Sequence, residues 1–300
     1  MKRIQVLLSA YNGENYIAEQ IKSILRQKHV QVSLLIRDDG SEDATWKILS
    51  EYAAKHRNVC VYAGKNIGTQ KSYFDLLAHA DSDMDYFAFS DQDDVWHTHK
   101  LRRAVEILSQ ETENKPLLYA SNVICASEDL RIKTRIYRLK RKHPSFGNAL
   151  VENICTGCTE VFNKQLLELV RMHPPGCAIL HDWWFYMTAA CFGKVCFDEK
   201  AYILYRQHAH NQVGMQATQW NRWKRRMLRI GSLRGLLSQQ AKDFADAYED
   251  MHVQNRELEL MAGYRQNSRK KWEVVVSGLV YRQNRIDRWI YKILFLAGYL

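Results

Sequence analysis

Four short apolar segments in the first third of the chain, each ending in a small polar cluster, constrain the fold more than any other feature. Ile4 to Leu8 runs into Ser9-Ala10-Tyr11-Asn12-Gly13, and Val32 to Ile36 runs into Arg37-Asp38-Asp39-Gly40-Ser41. Val59 to Tyr62 leads through Gly64 to Asn66-Ile67-Gly68, and Tyr86 to Phe89 ends in Ser90-Asp91-Gln92-Asp93-Asp94. Between them the apolar spacing turns helical, through Tyr16, Ile17, Ile21, Ile24 and Leu25, then Trp46, Ile48, Leu49 and Tyr52, then Phe74, Leu76 and Leu77. Apolar strands alternating with helices predict an α/β fold, a parallel sheet covered on both faces. Ser41 and Asp43 stand where a cap for the second helix is needed. Such sheets bind ligands beyond the carboxyl ends of their strands, at the point where strand order reverses. All four polar clusters fall at those ends.

The second half is less regular. Leu117 to Ala120 and Cys155 to Phe162 read as strands flanking a basic loop, Arg131 to Lys142. Leu166 to Met172 reads as helix, Pro174-Pro175-Gly176 stops it, and His181-Asp182-Trp183-Trp184 opens another. Val195 to Phe197 and Ala201 to Tyr205 look like closing strands, and Trp272 to Tyr281 fits either pattern within a largely helical remainder. The expected division is a catalytic domain over 1–215 and a mainly helical, basic region over 216–300.

Seven cysteines, an odd number with no regular spacing, fit a reducing compartment, so a cytoplasmic location is expected. Cys155 and Cys158 make one C-x-x-C without a second ligand pair, which reads as buried small residues rather than a zinc site. The initial apolar run is interrupted at Gln5, as in a strand and unlike a signal peptide. The formal charge of +10 is uneven: Ala201 to Gln240 contains no Asp or Glu. Its basic residues, among them Arg222, Lys224, Arg225, Arg226 and Arg229, interleave with Trp220, Trp223, Met227, Leu228 and Ile230. This composition suits peripheral contact with an anionic membrane on its inner face, or a helix whose apolar side packs on the core. No groove-reading motif accompanies the charge, so nucleic acid is not an expected partner. Trp289 to Leu300, with Lys292 its one charge, can lie on a membrane, or enter one were the chain to continue.

An apolar strand delivering three carboxylates at its tip points to chemistry. Asp91 and Asp93, one residue apart in a tight loop, can face one hard cation, and Mg²⁺ or Mn²⁺ takes oxygen ligands while keeping sites for phosphate. Asp94 alongside can instead cap the helix beginning near Lys100.

The four ordered motifs, Ser9 to Gly13, Asp38 to Ser41, Asn66 to Gly68 and Asp91 to Asp94, resemble those of family two glycosyltransferases. Thr156-Gly157-Cys158-Thr159, His181-Asp182-Trp183-Trp184 and Tyr205-Arg206-Gln207-His208 are similar to the subgroup of bacterial rhamnosyltransferases that build surface polysaccharides. The likeness covers roughly the first two thirds of the chain and implies a GT-A fold, a nucleotide-binding half merged with an acceptor-binding half. It implies a nucleotide site of Ser9, Ala10, Tyr11, Asn12, Asp38, Asp39, Asn66, Gly68, Lys71 and Asp91, with Tyr11 flanking the base. Asp38 or Asp39 would accept from the pyrimidine N3–H, which uracil and thymine possess and cytosine lacks. Lys71 either reaches a phosphate or the base edge, or is a surface lysine. Asp91 would bind ribose or share the metal, Asp93 would coordinate it, and His208, with His210 as alternate, would complete the shell. Asp182 would be the base of an inverting transfer, at the place where the family carries Glu-Asp and this chain has His181-Asp182. Trp183, Trp184, Thr156 and Gly157 would meet the acceptor.

The implied donor is dTDP-L-rhamnose or, as the alternative, a UDP-hexose; the acceptor is a glycan or lipid-linked glycan. A nucleotidyltransferase would need an early Gly-rich signature, which is missing. A non-catalytic glycan-binding or membrane scaffold would have no use for the full set of carboxylates.

Overall fold

The computed structural model describes residues 1–111, 114–131, 133–136, 143–208, 234–253 and 255–300. The four apolar segments form β1 (Arg3–Ala10), β2 (Gln31–Asp38), β3 (Val59–Ala63) and β4 (Tyr86–Ser90), connected by α1 (Ile17–Leu25), α2 (Thr45–Lys55) and α3 (Thr69–His79). β1 pairs in parallel with β2 on one side and β4 on the other, and β2 carries β3. The winding therefore reverses between β1 and β4, which opens a cleft at their carboxyl ends. Val6 and Leu8 pack toward Ile17, Ile21 and Leu101, while Leu7 packs toward Tyr73, Leu76 and Leu77 on the other face. Burial on both faces is why β1 is nearly continuous in apolar residues.

β5 (Val95–Trp96), α4 (Lys100–Leu108), β6 (Leu117–Ser127), β7 (Lys133–Ile136), α5 (Phe146–Ala149), β8 (Val161–Asn163), α6 (Lys164–Met172), α7 (His181–Phe192) and β9 (Lys194–Gln207) follow. They extend the sheet in the order β3-β2-β1-β4-β8-β6-β9-β5, with β8 antiparallel to β4 and β9 parallel to β6. β5 pairs Val95 with Leu204 and Trp96 with Ile203. That short pairing draws the Asp91–Asp94 loop beside the end of β9, where Arg206 and His208 stand.

Three local expectations change. Cys155 to Thr159 is not strand: Thr159 donates from its N–H and its hydroxyl to Thr156 O at 2.8 and 2.7 Å, closing a 3₁₀ turn over Gly157–Thr159. Asp94 does not cap α4; its Oδ1 accepts the Arg206 N–H at 3.2 Å. Of the two residues proposed to cap α2, Asp43 accepts from Thr45 N at 2.9 Å, whereas the Ser41 hydroxyl is spent on Asp38 and Asn12.

The carboxyl-terminal helices are α8 (Leu236–Ala247), α9 (Arg256–Gly263), α10 (Ser268–Val276) and α11 (Arg285–Leu296). Phe244, Tyr248, Tyr264 and Phe295 enter the same apolar cluster as Trp184 and Phe185, so this region shares the core of the sheet. Most of the basic loop Arg131 to Lys142, His210, the Trp220 to Ile230 stretch and the 215/216 boundary lie outside the described residues. No helix among the described residues is long and apolar enough to cross a membrane.

Candidate active site

The first motif is braced by the fourth. Gln92 accepts from Tyr11 N at 2.8 Å and donates to Tyr11 O at 2.9 Å, joining the loops after β1 and β4. A Cβ on Gly13 would lie 2.4 Å from the Gln92 Oε1, so a larger residue there would displace the Gln92 amide from its two bonds to Tyr11. Ser9 and Ser72 hydroxyls are 2.6 Å apart, and Ala10 O accepts from Asp39 N at 2.7 Å. Asn12 accepts from Glu42 N at 2.9 Å.

The two aspartates of the second motif have different duties. Asp39 accepts from Ile67 N and Gly68 N at 3.0 and 2.9 Å and pairs with buried Arg37, which also donates to Asp75 at 2.9 Å. It is the latch that shapes the third motif. Asp38 accepts only from Ser41 among the described contacts, at 2.5 and 3.1 Å, which leaves lone pairs for a ligand donor. Gly40, at φ +79°, lets the turn pass the Asn66 N–H. Tyr11, Asn66, Gly68 and Lys71 are exposed around this rim.

At the cleft floor Asp91 accepts from the Tyr73 hydroxyl at 3.0 Å. Removal from water, then the adjacent Asp93 charge, push its carboxyl up to about 7; Asp182 adds to the rise. Asp93 Oδ2 is 2.7 Å from His208 Nε2, and the His208 ring stacks on Tyr16 at 4.9 Å. Arg206 fastens this end of β9, donating from Nε to Asp93 O at 2.8 Å and from a terminal nitrogen to Glu19 at 2.6 Å. Asp94 is buried, its Oδ2 has no hydrogen-bond partner, and burial drives its carboxyl well above the usual range.

Ligand atoms of Asp91, Asp94 and Cys158 lie within 4.8 Å of one another, a group able to hold a metal ion. Burial raises the Cys158 thiol well above its ordinary value, so at neutral pH it is a neutral S–H and a poor partner for a hard cation. His208 Nε2 meets Asp93 and not Asp91, so these three oxygen and nitrogen ligands, whose chemistry suits Mg²⁺ or Mn²⁺, would share one cation only if the Asp93 and His208 side chains turned toward Asp91. Carboxylates that raise one another's proton affinity would gain from a cation between them, and Asp94 has an oxygen to spare. The residues fit.

Asp182 lies in the first turn of α7, where the helix dipole favours a negative charge. Its Oδ2 accepts from Gly157 N at 2.9 Å and its Oδ1 from Trp183 N at 2.7 Å. Burial pushes the carboxyl up to about 6 against these bonds and one from the Asn153 side chain. The neighbouring His181 stacks on Tyr73 with ring centroids 3.8 Å apart, and Tyr73 in turn holds Asp91. Asp182 and Asp91 are thereby linked across two rings. Burial lowers His181 to about 3, so its ring is neutral, and neither nitrogen has a hydrogen-bond partner.

The two tryptophans correct an expectation. Trp184 is fully buried against Phe244 and Tyr248, and Trp183, 5% exposed, donates its indole N–H to Ala149 O at 2.5 Å. Both are core residues and offer no free ring face to an acceptor; the second half of the chain needed their area to seat α7. Thr156 is exposed, and buried Gly157 gives its N–H to Asp182. Sequence reasoning assigned no role to Tyr73, Gln92 or Arg206, which brace the cleft.

The sequence model described as "Glycosyl transferase family 2" matches residues 5–170. The dTDP-rhamnosyl transferase RfbG of Shigella flexneri is 32% identical over 263 residues, 84% of this chain and 88% of its own. The structure of S. aureus TarS in complex with UDP-GlcNAc superposes with a TM-score of 0.58 at 16% identity, over 99% of this chain and 91% of that one. The mannosyltransferase of Pyrobaculum calidifontis in complex with GDP-Man and Mn²⁺ gives a TM-score of 0.53 at 16% identity, over 98% and 85%. These likenesses establish the GT-A fold. Sheet, cleft and sequence agree that this chain is a glycosyltransferase and belongs to glycosyl transferase family 2.

Proposed function

We propose that the chain transfers L-rhamnose from dTDP-L-rhamnose, with inversion, to a glycan or lipid-linked glycan acceptor during surface polysaccharide synthesis in the cytoplasm. A UDP-hexose is the alternative donor. The reading is supported by Tyr73, whose hydroxyl reaches Asp91 while its ring stacks on His181, the residue before Asp182, and by the contact of His208 with Asp93. The likeness to a dTDP-rhamnosyl transferase supports the choice of donor.

In this account Asp38 accepts from the N3–H of thymine or uracil, and the Asn66–Gly68 loop held by Asp39 follows the nucleotide. A divalent cation held by Asp91, Asp93 and His208 would neutralise charge on the departing diphosphate. Asp182, raised to about 6, is mostly ionised at neutral pH yet basic enough to take the acceptor hydroxyl proton. The acceptor oxygen bonds to the anomeric carbon as the carbon–diphosphate bond breaks on the opposite face, and the proton passes to Asp182. Neutral His181, buried and stacked on Tyr73, would act as a spacer that sets the start of α7 against the cleft floor.

Purified protein with Mn²⁺ or Mg²⁺ and an acceptor should release diphosphate fastest from dTDP-L-rhamnose in a screen of donors, and the product should carry the inverted anomeric configuration. Retention of configuration, or undiminished turnover by Asp182→Asn, would refute the assignment.

A further inference from the structure

A surface helix turns its apolar stripe to the core, and α10 and α11 do this while leaving a second stripe in water. α11 buries Tyr291 and Phe295, yet Ile286, Trp289, Ile293 and Leu296 are 56, 69, 66 and 39% exposed. At 3.6 residues per turn those four fall on one side. α10 buries Val274 and Val275, while Trp272 and Val276, one turn apart, are 62 and 67% exposed and Leu279 follows. Six of the fifteen large apolar side chains exposed among the described residues stand on this one helix pair, and Leu279 in the connection between them makes a seventh. Scattered exposure is ordinary; concentration of this kind marks a contact surface.

Charge selects the partner. From Ser268 to Leu300 the chain carries Arg269, Lys270, Lys271, Arg285, Arg288 and Lys292 against only Glu273 and Asp287, with a seventh base, Arg282, turned inward to Glu152 at 3.4 Å and Val151 O at 2.7 Å. Glu273 is already engaged by Arg256 at 2.8 and 2.6 Å, and Lys292 Nζ sits 5.5 Å from the centre of the Trp289 ring. Apolar stripes bearing tryptophan and flanked by an excess of bases are complementary to anionic lipid headgroups over acyl chains. We infer that this face of α10 and α11 docks on an anionic bilayer and lies in its interface without crossing it.

The helix pair is tied to the acceptor side of the cleft. Asn148 donates to Tyr281 O at 2.9 Å, Ser145 and Tyr281 hydroxyls are 2.7 Å apart, and Gln283 N donates to Glu152 at 2.6 Å. The segment so gripped leads directly to Gly157 and thus to Asp182. Resting on the transferase reading above, docking here places the base near the plane where a lipid-linked acceptor resides.

The test uses the full chain with vesicles of phosphatidylcholine alone or mixed with phosphatidylglycerol. The chain should pellet with the mixed vesicles at low salt, with a blue shift in tryptophan emission, and remain in solution with the neutral ones. Trp289→Glu with Ile293→Glu, both on the exposed stripe, should weaken binding by about tenfold or more with an unchanged melting curve. Diphosphate release by the variant in water should stay at the wild-type rate, and wild type that pellets with the mixed vesicles yet releases no diphosphate from any donor would strike the transferase reading alone. Three results overturn the docking: no pelleting, equal pelleting of the variant, or self-association of the wild type that the variant abolishes.

Discussion

A methyl group added at Gly157 tests how the base is held. The Cβ of Gly157→Ala would meet Asp182 Cβ and His181 Nε2 at 3.1 Å and Asp182 Oδ2 at 3.2 Å, closer than ordinary packing allows. Both neighbours belong to the first turn of α7, which Trp183 and Trp184 pin in the core, so the side chains must yield by a few tenths of an ångström. A misplacement of 1 Å costs on the order of a hundredfold in rate, so a third of that costs roughly fivefold. The same shift stretches the 2.9 Å bond from Gly157 N, one of the interactions that oppose the rise in the Asp182 carboxyl. A hydrogen bond to a charged group contributes about 1.5–3 kcal/mol, and losing half of it raises the carboxyl by about one pH unit. The base acts deprotonated, so activity climbs with pH through its pKa. The acid limb of kcat/KM for diphosphate release should therefore lie near 6 in the wild type and about one unit higher in the variant. A wild-type rate with an unmoved limb would refute this placement of the base.

Glu160 is fully buried, neither carboxylate oxygen has a partner, and burial drives it well above its ordinary 4.5. The folded chain binds that proton more tightly than the unfolded one, so stability is lost as pH rises above about 4.5. Denaturant melts between about pH 5 and 7 should show a shallower loss in Glu160→Gln, and parallel curves would refute the burial argument. Trp184→Ala should cost about 3–5 kcal/mol in a chemical melt while leaving the acceptor KM unchanged where the protein is folded; a raised KM without destabilisation would return the ring to the acceptor site. Asp38→Asn should raise the donor KM, whereas Asp39→Asn should chiefly lower the melting temperature, because Arg37 and the Ile67 and Gly68 N–H groups lose their charged partner. The reverse pattern would exchange the duties assigned to the two aspartates.

The parallel half of the sheet was legible because both faces of β1 and β4 are buried, which writes burial into sequence as nearly continuous apolar runs ending at polar tips. The polar clusters at those tips, including Asp38, Asp39, Asp91 and Asp93, were legible for the same reason. The turn at Cys155 to Thr159 was not: its shape comes from Asp182 drawing in the Gly157 N–H, a contact between distant segments. Trp183 and Trp184 misled because aromatic rings beside a reactive carboxylate look the same in sequence whether they face a sugar or a core. What decided between them was α8, whose Phe244 covers Trp184 from far along the chain. Tyr73 was hidden for a similar reason, as a buried tyrosine on an amphipathic helix shows nothing of the carboxylate its hydroxyl reaches.

Binding of Mn²⁺ followed by its magnetic resonance signal, with and without dTDP, tests the cleft most directly. Wild-type protein should take up one Mn²⁺ cooperatively with the diphosphate, and Asp93→Asn should lose both the ion and the metal-dependent part of nucleotide affinity. Tight dTDP binding that neither Mn²⁺ nor the substitution alters would contradict the account.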